Sequence, residues 1–283
     1  MTFWQNISNK MFRSVSKLYL LIGINVFVFL AINIPAVLEG LLFRSSAIVL
    51  YANEYLRMPA YLPRLLVRFW TPLTYMFMHT GILHILFNML WLYWLGQIFE
   101  DFLGNKRTVG LYLLGGFAGA IFYIIAYNIF PVFSESGALT IVGASASVMA
   151  VIAAAATIAP NYTIGLMFIG PVRLKWLVLF YIVIDFLGIA GPNAGGEIAH
   201  LGGALFGFTY VKQLQKGNDM IGAIAGIFKK RSKLKVASNN RDKSATAMPR
   251  EDEVDAILDK ISKTGYDNLS EQEKETLFRA SKK

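Results

Sequence analysis

The sequence predicts an all-α, polytopic membrane bundle of about six crossing helices followed by a soluble helical tail. Three observations lead there. Hydrophobic residues make up 55% and aromatics 14% of the 283 residues, above what a soluble domain carries. Apolar runs of the length a bilayer crossing needs, about 17 to 25 residues, recur along the first three quarters of the chain. Basic residues gather at the ends of those runs and in the tail, so the formal charge of +9 reads as a membrane-surface charge and not as a nucleic-acid footprint. No nucleic-acid partner is expected. The absence of cysteine excludes disulfides, thiolate metal sites and a thiol nucleophile.

The expected spans are Leu18–Val37, Thr71–Ile98, Val109–Phe130, Leu139–Ala159, Leu174–Ala190 and Gly195–Val211. The first follows Lys10, Arg13 and Lys17 and is long enough to cross, so it reads as an anchor and not as a cleavable signal. Residues from about Glu39 to Phe69 mix apolar runs with isolated charges, Pro59 and Pro63, which predicts a structured element lying at the interface. The second and fifth spans are bulky. The fourth and sixth are rich in Gly, Ala and Ser, which lets backbones approach closely and predicts that these two are in contact. Pro131 to Gly137 and Gly191 to Gly196 read as short turns, the second mobile and a candidate lid beside His200.

With the N-terminus inside, Lys106, Arg107, Arg173, Lys175, Lys212, Lys216 and the tail all fall on the cytoplasmic face, opposite Glu135 and Glu197. Arg44, Arg57, Arg64 and Arg68 in the first loop count against this orientation, but the opposite one exports the entire basic tail. The expectation is therefore an integral protein of the cell (inner) membrane with both termini cytoplasmic. Three domains follow: a membrane domain over 1–215, a basic linker over 216–249 and a cytoplasmic helical hairpin over 250–283. Within the linker, Met220–Phe228 reads as an amphipathic piece or a plain linker, and residues of about 232–249 as disordered. In the hairpin, Val254, Ile257, Leu258 and Ile261 recur at helical spacing, Gly265 offers a stop, and Ser270-x-x-Glu273 is a capping box before a second helix. A docking role toward an unknown cytoplasmic partner is expected for it.

Chemistry concentrates at a few polar residues inside these apolar runs. Serine in a membrane helix ordinarily packs or hydrogen-bonds, but Ser145 follows Gly143, whose backbone approaches closely and leaves amides near the hydroxyl. Residues before it continue a helix poorly, so the fourth helix is expected to start near Ser145, with its positive dipole end there. His200 is one of only three histidines, and an imidazole is costly inside a membrane, which favours function over packing. Gly203 and Gly207, three and seven residues on, let its helix sit tightly on the fourth, as a hydroxyl–imidazole pair requires. His84 and Asn88 stand four apart on one helix face and are candidate oxyanion donors, or else a polar pair stitching helices. His79 reads as structural. Glu197 is the one acid expected near the histidines, in the outer loop, so a metal site lacks ligands; no metal and no cofactor are expected.

The combination of His84-x-x-x-Asn88, Gly143-x-Ser145 and Ala199-His200-x-x-Gly203-x-x-x-Gly207, in this order, resembles the rhomboid family of intramembrane serine proteases over about residues 10–215. The resemblance implies a six-helix bundle with Ser145 as nucleophile, His200 as general base without a third acidic member, and His84 and Asn88 near the oxyanion. It also implies a water-filled cavity on the outer side that admits unwound transmembrane segments of protein substrates. Glu100 matches a family acid that ties down the first loop from below. Three positions depart from the pattern. Trp70-Thr71 stands where Trp-Arg is common, leaving Arg68 as a nearby substitute; Ala146 replaces a glycine; and Met149 replaces an aromatic that stacks on the histidine. The expected activity is serine endopeptidase. The alternatives are a non-catalytic receptor or chaperone for transmembrane segments, and a channel or transporter using the histidines as a proton relay.

Overall fold

The computed structural model describes Gln5, Asn9, Ser14 and residues 16–134, 140–166, 169–228 and 249–281. Lys10, Arg13, Glu135, Gly137 and the expected disordered stretch up to Met248 lie outside the described residues. Two compact units divide between Lys229 and Lys230.

The first unit is helical. In order come α1 (Leu18–Phe43), α2 (Ala47–Leu56), the short strand β1 (Met58–Pro59), α3 (Leu62–Val67), α4 (Thr71–Thr74), α5 (Ile82–Leu103), α6 (Thr108–Ile129), α7 (Pro131–Ser134) and β2 (Thr140–Ile141). Then follow α8 (Ser145–Ile158), the strands β3 (Thr163–Leu166) and β4 (Gly170–Arg173), α9 (Leu174–Gly188), α10 (Ala194–Gln215) and α11 (Met220–Phe228). Both pairs of strands are antiparallel; β1 sets Met58 opposite Ile141, and β3 sets Thr163 opposite Arg173. Among the described residues, three helices are long and apolar enough to cross a membrane by themselves: Leu18–Phe43, Ile82–Leu103 and Asn105–Ile129, the last including the turn before α6. The other three expected spans coincide with the helices α8, α9 and α10, of which α8 is a shorter apolar helix; none of the three meets that length and apolarity.

Several boundaries differ from expectation for local reasons. The second span does not begin at Thr71, because the chain turns through α4 and a 3₁₀ turn and is extended at Met78 before α5 starts at Ile82. Glu39 belongs to α1, where its carboxylate accepts from the Ala47 and Ile48 amides at the start of α2. The first loop is structured as predicted: Trp70 Nε1 donates to the Tyr55 carbonyl at 2.8 Å, and Arg68 pairs with Glu54 and lies over the Tyr55 ring.

The centre of the unit is α8, buried from Ala146 to Ala156. The predicted contact between the fourth and sixth spans is observed, and glycine makes it. A Cβ added at Gly203 would lie 2.1 Å from the Ala146 carbonyl oxygen, and one at Gly207 2.0 Å from that of Ala150. From the other side, Gly115 and Gly119 of α6 would bring a Cβ to 2.2 Å and 2.6 Å from the methyl groups of the same two alanines. Ala146 and Ala150 are thus clamped, one helical turn apart, between backbones of two neighbours. At about 1.5 Å per residue a helix of 14 residues is about 21 Å long, short of the ~30 Å hydrocarbon core, so its first residue starts inside the layer if its last reaches a surface. Its first residue is Ser145, as expected.

Around this centre, α1 exposes most of its apolar surface, with Leu41 and Phe27 more than 70% open, as a lipid-facing helix would. Met220–Phe228 is helical and packs onto the bundle: Ile221 sits against Gly110, and Asp219 pairs with Arg107 at 2.8 Å. Burial pushes the Asp219 carboxyl up, but the Gly222 amide and the Arg107 guanidinium outweigh it and hold it below the usual carboxylate range.

In the second unit α12 (Glu251–Thr264) and α13 (Glu271–Ala280) form the predicted hairpin. Helix α12 ends at Gly265, whose φ of 83° suits glycine. The capping box is complete, with Ser270 accepting from the Glu273 amide and Glu273 accepting from the Ser270 amide. Lys260 Nζ reaches Glu273 at 2.8 Å across the hairpin.

Candidate active site

The loop leading into Ser145 is held by backbone contacts. Tyr75 donates its hydroxyl to the Gly116 carbonyl at 2.6 Å, which pins the 3₁₀ turn to α6. The Tyr75 carbonyl then receives the Gly143 amide at 2.9 Å, while β2 is held by β1. Gly143 takes φ 126°, a conformation strained for any residue with a side chain. Two residues later Ser145 opens α8, whose free amides face its N-terminal end. A Cβ at Gly143 would lie 2.7 Å from His84 Nε2 and 3.6 Å from Ser145 Oγ, so the missing side chain leaves a gap bounded by those two groups.

Ser145, His200, His84 and Asn88 all line one cavity of about 440 Å³ between α5 and α9, with α8 and α10 behind it. His84 Nδ1 lies 3.2 Å from the Thr80 hydroxyl. Asn88 is buried and turns its amide to the His84 carbonyl of its own helix at 2.9 Å. His79 is buried with its ring edge-on to His84, centroids 5.0 Å apart. Trp91 of α5 and Tyr181 of α9 meet edge-to-face at 5.5 Å along the same cavity. Among the described residues no three His, Asp or Glu side chains are grouped as a metal site would need.

Four expectations are corrected. His200 does have an acidic partner: Asp185 Oδ1 lies 3.0 Å from His200 Nδ1, and Asp185, not Glu197, is the acid at the histidine. A lone carboxylate in the apolar run Leu174–Gly188 was itself the available signal, since such residues are functional by default. Glu197 is not in a loop but on α10, its carboxyl packed where a Cβ of Gly188 would stand. Gly195 and Gly196 are likewise helical and tightly packed, so the turn beside His200 shrinks to Ile189–Asn193. Glu100 does not hold the first loop; it accepts from the Lys17 amide at 3.1 Å and the Thr108 hydroxyl at 2.7 Å, tying the approach to α1 to the start of α6. The arginine facing the site is Arg57, which lines a polar cavity of about 420 Å³ with Thr80, His84 and Asn193, whereas Arg68 is spent on Glu54.

The family model of the Rhomboid domain matches residues 67–216, just over half of the chain. The protein belongs to the rhomboid family. RHOMBOID-like protein 12, mitochondrial, of Arabidopsis thaliana is 32% identical over 160 residues, covering 53% of this chain and 48% of the relative. Presenilin-associated rhomboid-like protein A, mitochondrial, of Danio rerio is 31% identical over 142 residues, covering 48% of this chain and 35% of that relative. The chain thus spans about half or less of the length of these relatives. Residues 244–283, which contain the helical hairpin, match a family of unknown function (DUF6576).

Proposed function

We propose that this rhomboid-family membrane protein is a serine endopeptidase that cuts transmembrane segments of other membrane proteins within the bilayer. The observation that carries this reading is the convergence of Ser145, His200, His84 and Asn88, from three helices, on one cavity. His200 takes the Ser145 proton as the hydroxyl oxygen bonds to a peptide carbonyl carbon, giving a tetrahedral oxyanion. The amides opening α8, with His84 and Asn88, stabilise that charge. His200 then returns the proton to the leaving amine as the C–N bond breaks, and water, activated by the same imidazole, hydrolyses the acyl ester. A helix hides its carbonyls, so substrates carry helix-weakening residues near the cut.

Purified full-length protein with a single-pass model substrate tests this. Cleavage that survives chelation and is lost in Ser145→Ala, together with fluorophosphonate labelling of Ser145, is the expected result. A Ser145→Ala protein that cleaves at the wild-type rate sinks it.

The proposed location is the cell (inner) membrane with both termini cytoplasmic, supported by the basic residues at one end of the helices. The mitochondrial names of the two relatives point to a different bilayer for those proteins. The chain has no cysteine, so single cysteines at Lys17 and Lys216 labelled from either side of the membrane decide the orientation. The hairpin over 250–283 is proposed to dock a cytoplasmic partner.

A further inference from the structure

Asp185 sits in α9 between Ile184 and Phe186, buried, with its Oδ1 3.0 Å from His200 Nδ1. Its Oδ2 is also enclosed and finds no hydrogen-bond partner among the described residues. A half-satisfied carboxylate is a poor rivet between helices, because burying the charge costs more than a neutral Ser, Thr or Asn would. What it does is therefore set by its one partner. An ionised carboxylate only accepts hydrogen bonds, so the proton of that contact belongs to Nδ1 and the lone pair of the ring is left on Nε2. That is the tautomer a base needs. On the α8 side of the cavity stands Met149, a flexible thioether in place of a flat ring that could stack on the imidazole.

We propose that Asp185 is a positioning residue for His200: it fixes the ring rotation, keeps Nε2 free toward Ser145, and stabilises the imidazolium formed when Ser145 gives up its proton. The proton stays on the imidazole throughout. The proposal rests on the protease reading above. The other titratable groups facing the pair are Glu197 on the helix of His200, Tyr181 on that of Asp185, and His84 on α5. None of these is hydrogen-bonded to His200 Nδ1.

The test uses the full chain in detergent and in liposomes, reading kcat and KM on the single-pass substrate, the rate of fluorophosphonate labelling and the thermal midpoint. Asp185→Asn is expected to lower kcat and labelling about 10²-fold or more, with KM and the midpoint near wild type. Asp185→Glu is expected to restore part of the loss. In a His200→Ala background the Asp185→Asn change should add nothing, because the two act as one unit. A second measurement needs no variant at Asp185: ring nitrogen NMR of the wild-type protein, with His200 assigned by its loss in His200→Ala, should find the neutral imidazole protonated at Nδ1. Wild-type kcat and labelling in Asp185→Asn, with Ser145→Ala inactive, overturns this inference and leaves the protease reading standing. An Nε2-protonated His200, or a loss confined to KM and thermal stability, overturns it too. If Ser145→Ala remains active, the protease reading fails and this proposal fails with it.

Discussion

Helices α6, α8 and α10 meet through bare backbone, whereas α5 and α9 face each other across the cavity through side chains such as Trp91 and Tyr181. On the tight side, Gly115, Gly119, Gly203 and Gly207 leave no room even for a methyl group against Ala146 and Ala150. Close packing of this kind is bistable and not continuously deformable, so Ser145 and His200 are carried on elements that shift little. On the loose side Trp91 and Tyr181 line the cavity and meet in an aromatic contact worth about 0.5–1.5 kcal/mol. On the proposed protease reading, the tight side holds Ser145 and His200 in register, and the weaker α5–α9 seam is where a substrate segment enters.

The sharpest break of this contrast is on the tight side. Gly203→Leu drives a side chain into the Ala146 carbonyl, and overpacking of this sort costs about 1–3 kcal/mol while moving His200 relative to Ser145. Cleavage and fluorophosphonate labelling should fall about 10²-fold or more, with a lower thermal midpoint; wild-type behaviour would refute the idea that close packing sets the site. Next, Asn88→Ala should lower kcat by about 10²-fold with the midpoint unchanged, and an equal fall in midpoint and activity would make Asn88 a helix stitch instead.

The loose side is expected to respond in the opposite sense. Tyr181→Ala removes the contact with Trp91 and should raise cleavage of a membrane-embedded substrate about two- to tenfold, the ratio matching the aromatic pair. A decrease would show that the seam shapes the site and does not gate it. The smallest effect belongs to the separate hairpin. Bonds from Lys260 and Ser270 bring the Glu273 carboxyl from 4.5 down to about 2. A depressed carboxyl stabilises the folded hairpin above its ordinary value, so this contribution is full above about pH 4.5 and is lost as pH falls toward 2. Hydrogen exchange across residues 251–280 of the full chain should quicken over that window, and Glu273→Gln should flatten the dependence.

Periodicity and small-residue content made much of this legible in advance. The contact of the fourth and sixth spans followed from glycine and alanine alone, and the start of α8 at Ser145 followed from the weak helical character before it. The capping box at Ser270 and the stop at Gly265 are local rules and were readable as such. What escaped was non-local. Thr71 to Ile98 reads as one apolar run, yet the turn at Tyr75–Phe77 is drawn out of it by hydrogen bonds to α6 and by the Gly143 amide. The family resemblance puts Glu100 beneath the first loop and leaves Arg68 as a nearby substitute for the usual arginine. Their partners, Lys17 and Thr108 for one and Glu54 for the other, depend on how distant segments come together.

By itself the sequence determined a membrane-embedded helical bundle, the polar residues inside its apolar runs and the pairs of helices able to touch, because hydrophobic length and side-chain size are properties of each segment alone. Only the tertiary structure decided which of those polar residues share a cavity and that the acid beside His200 is Asp185 and not Glu197. Helix rotation and crossing set that choice, and both come from the summed packing of all neighbours, which no local spacing encodes.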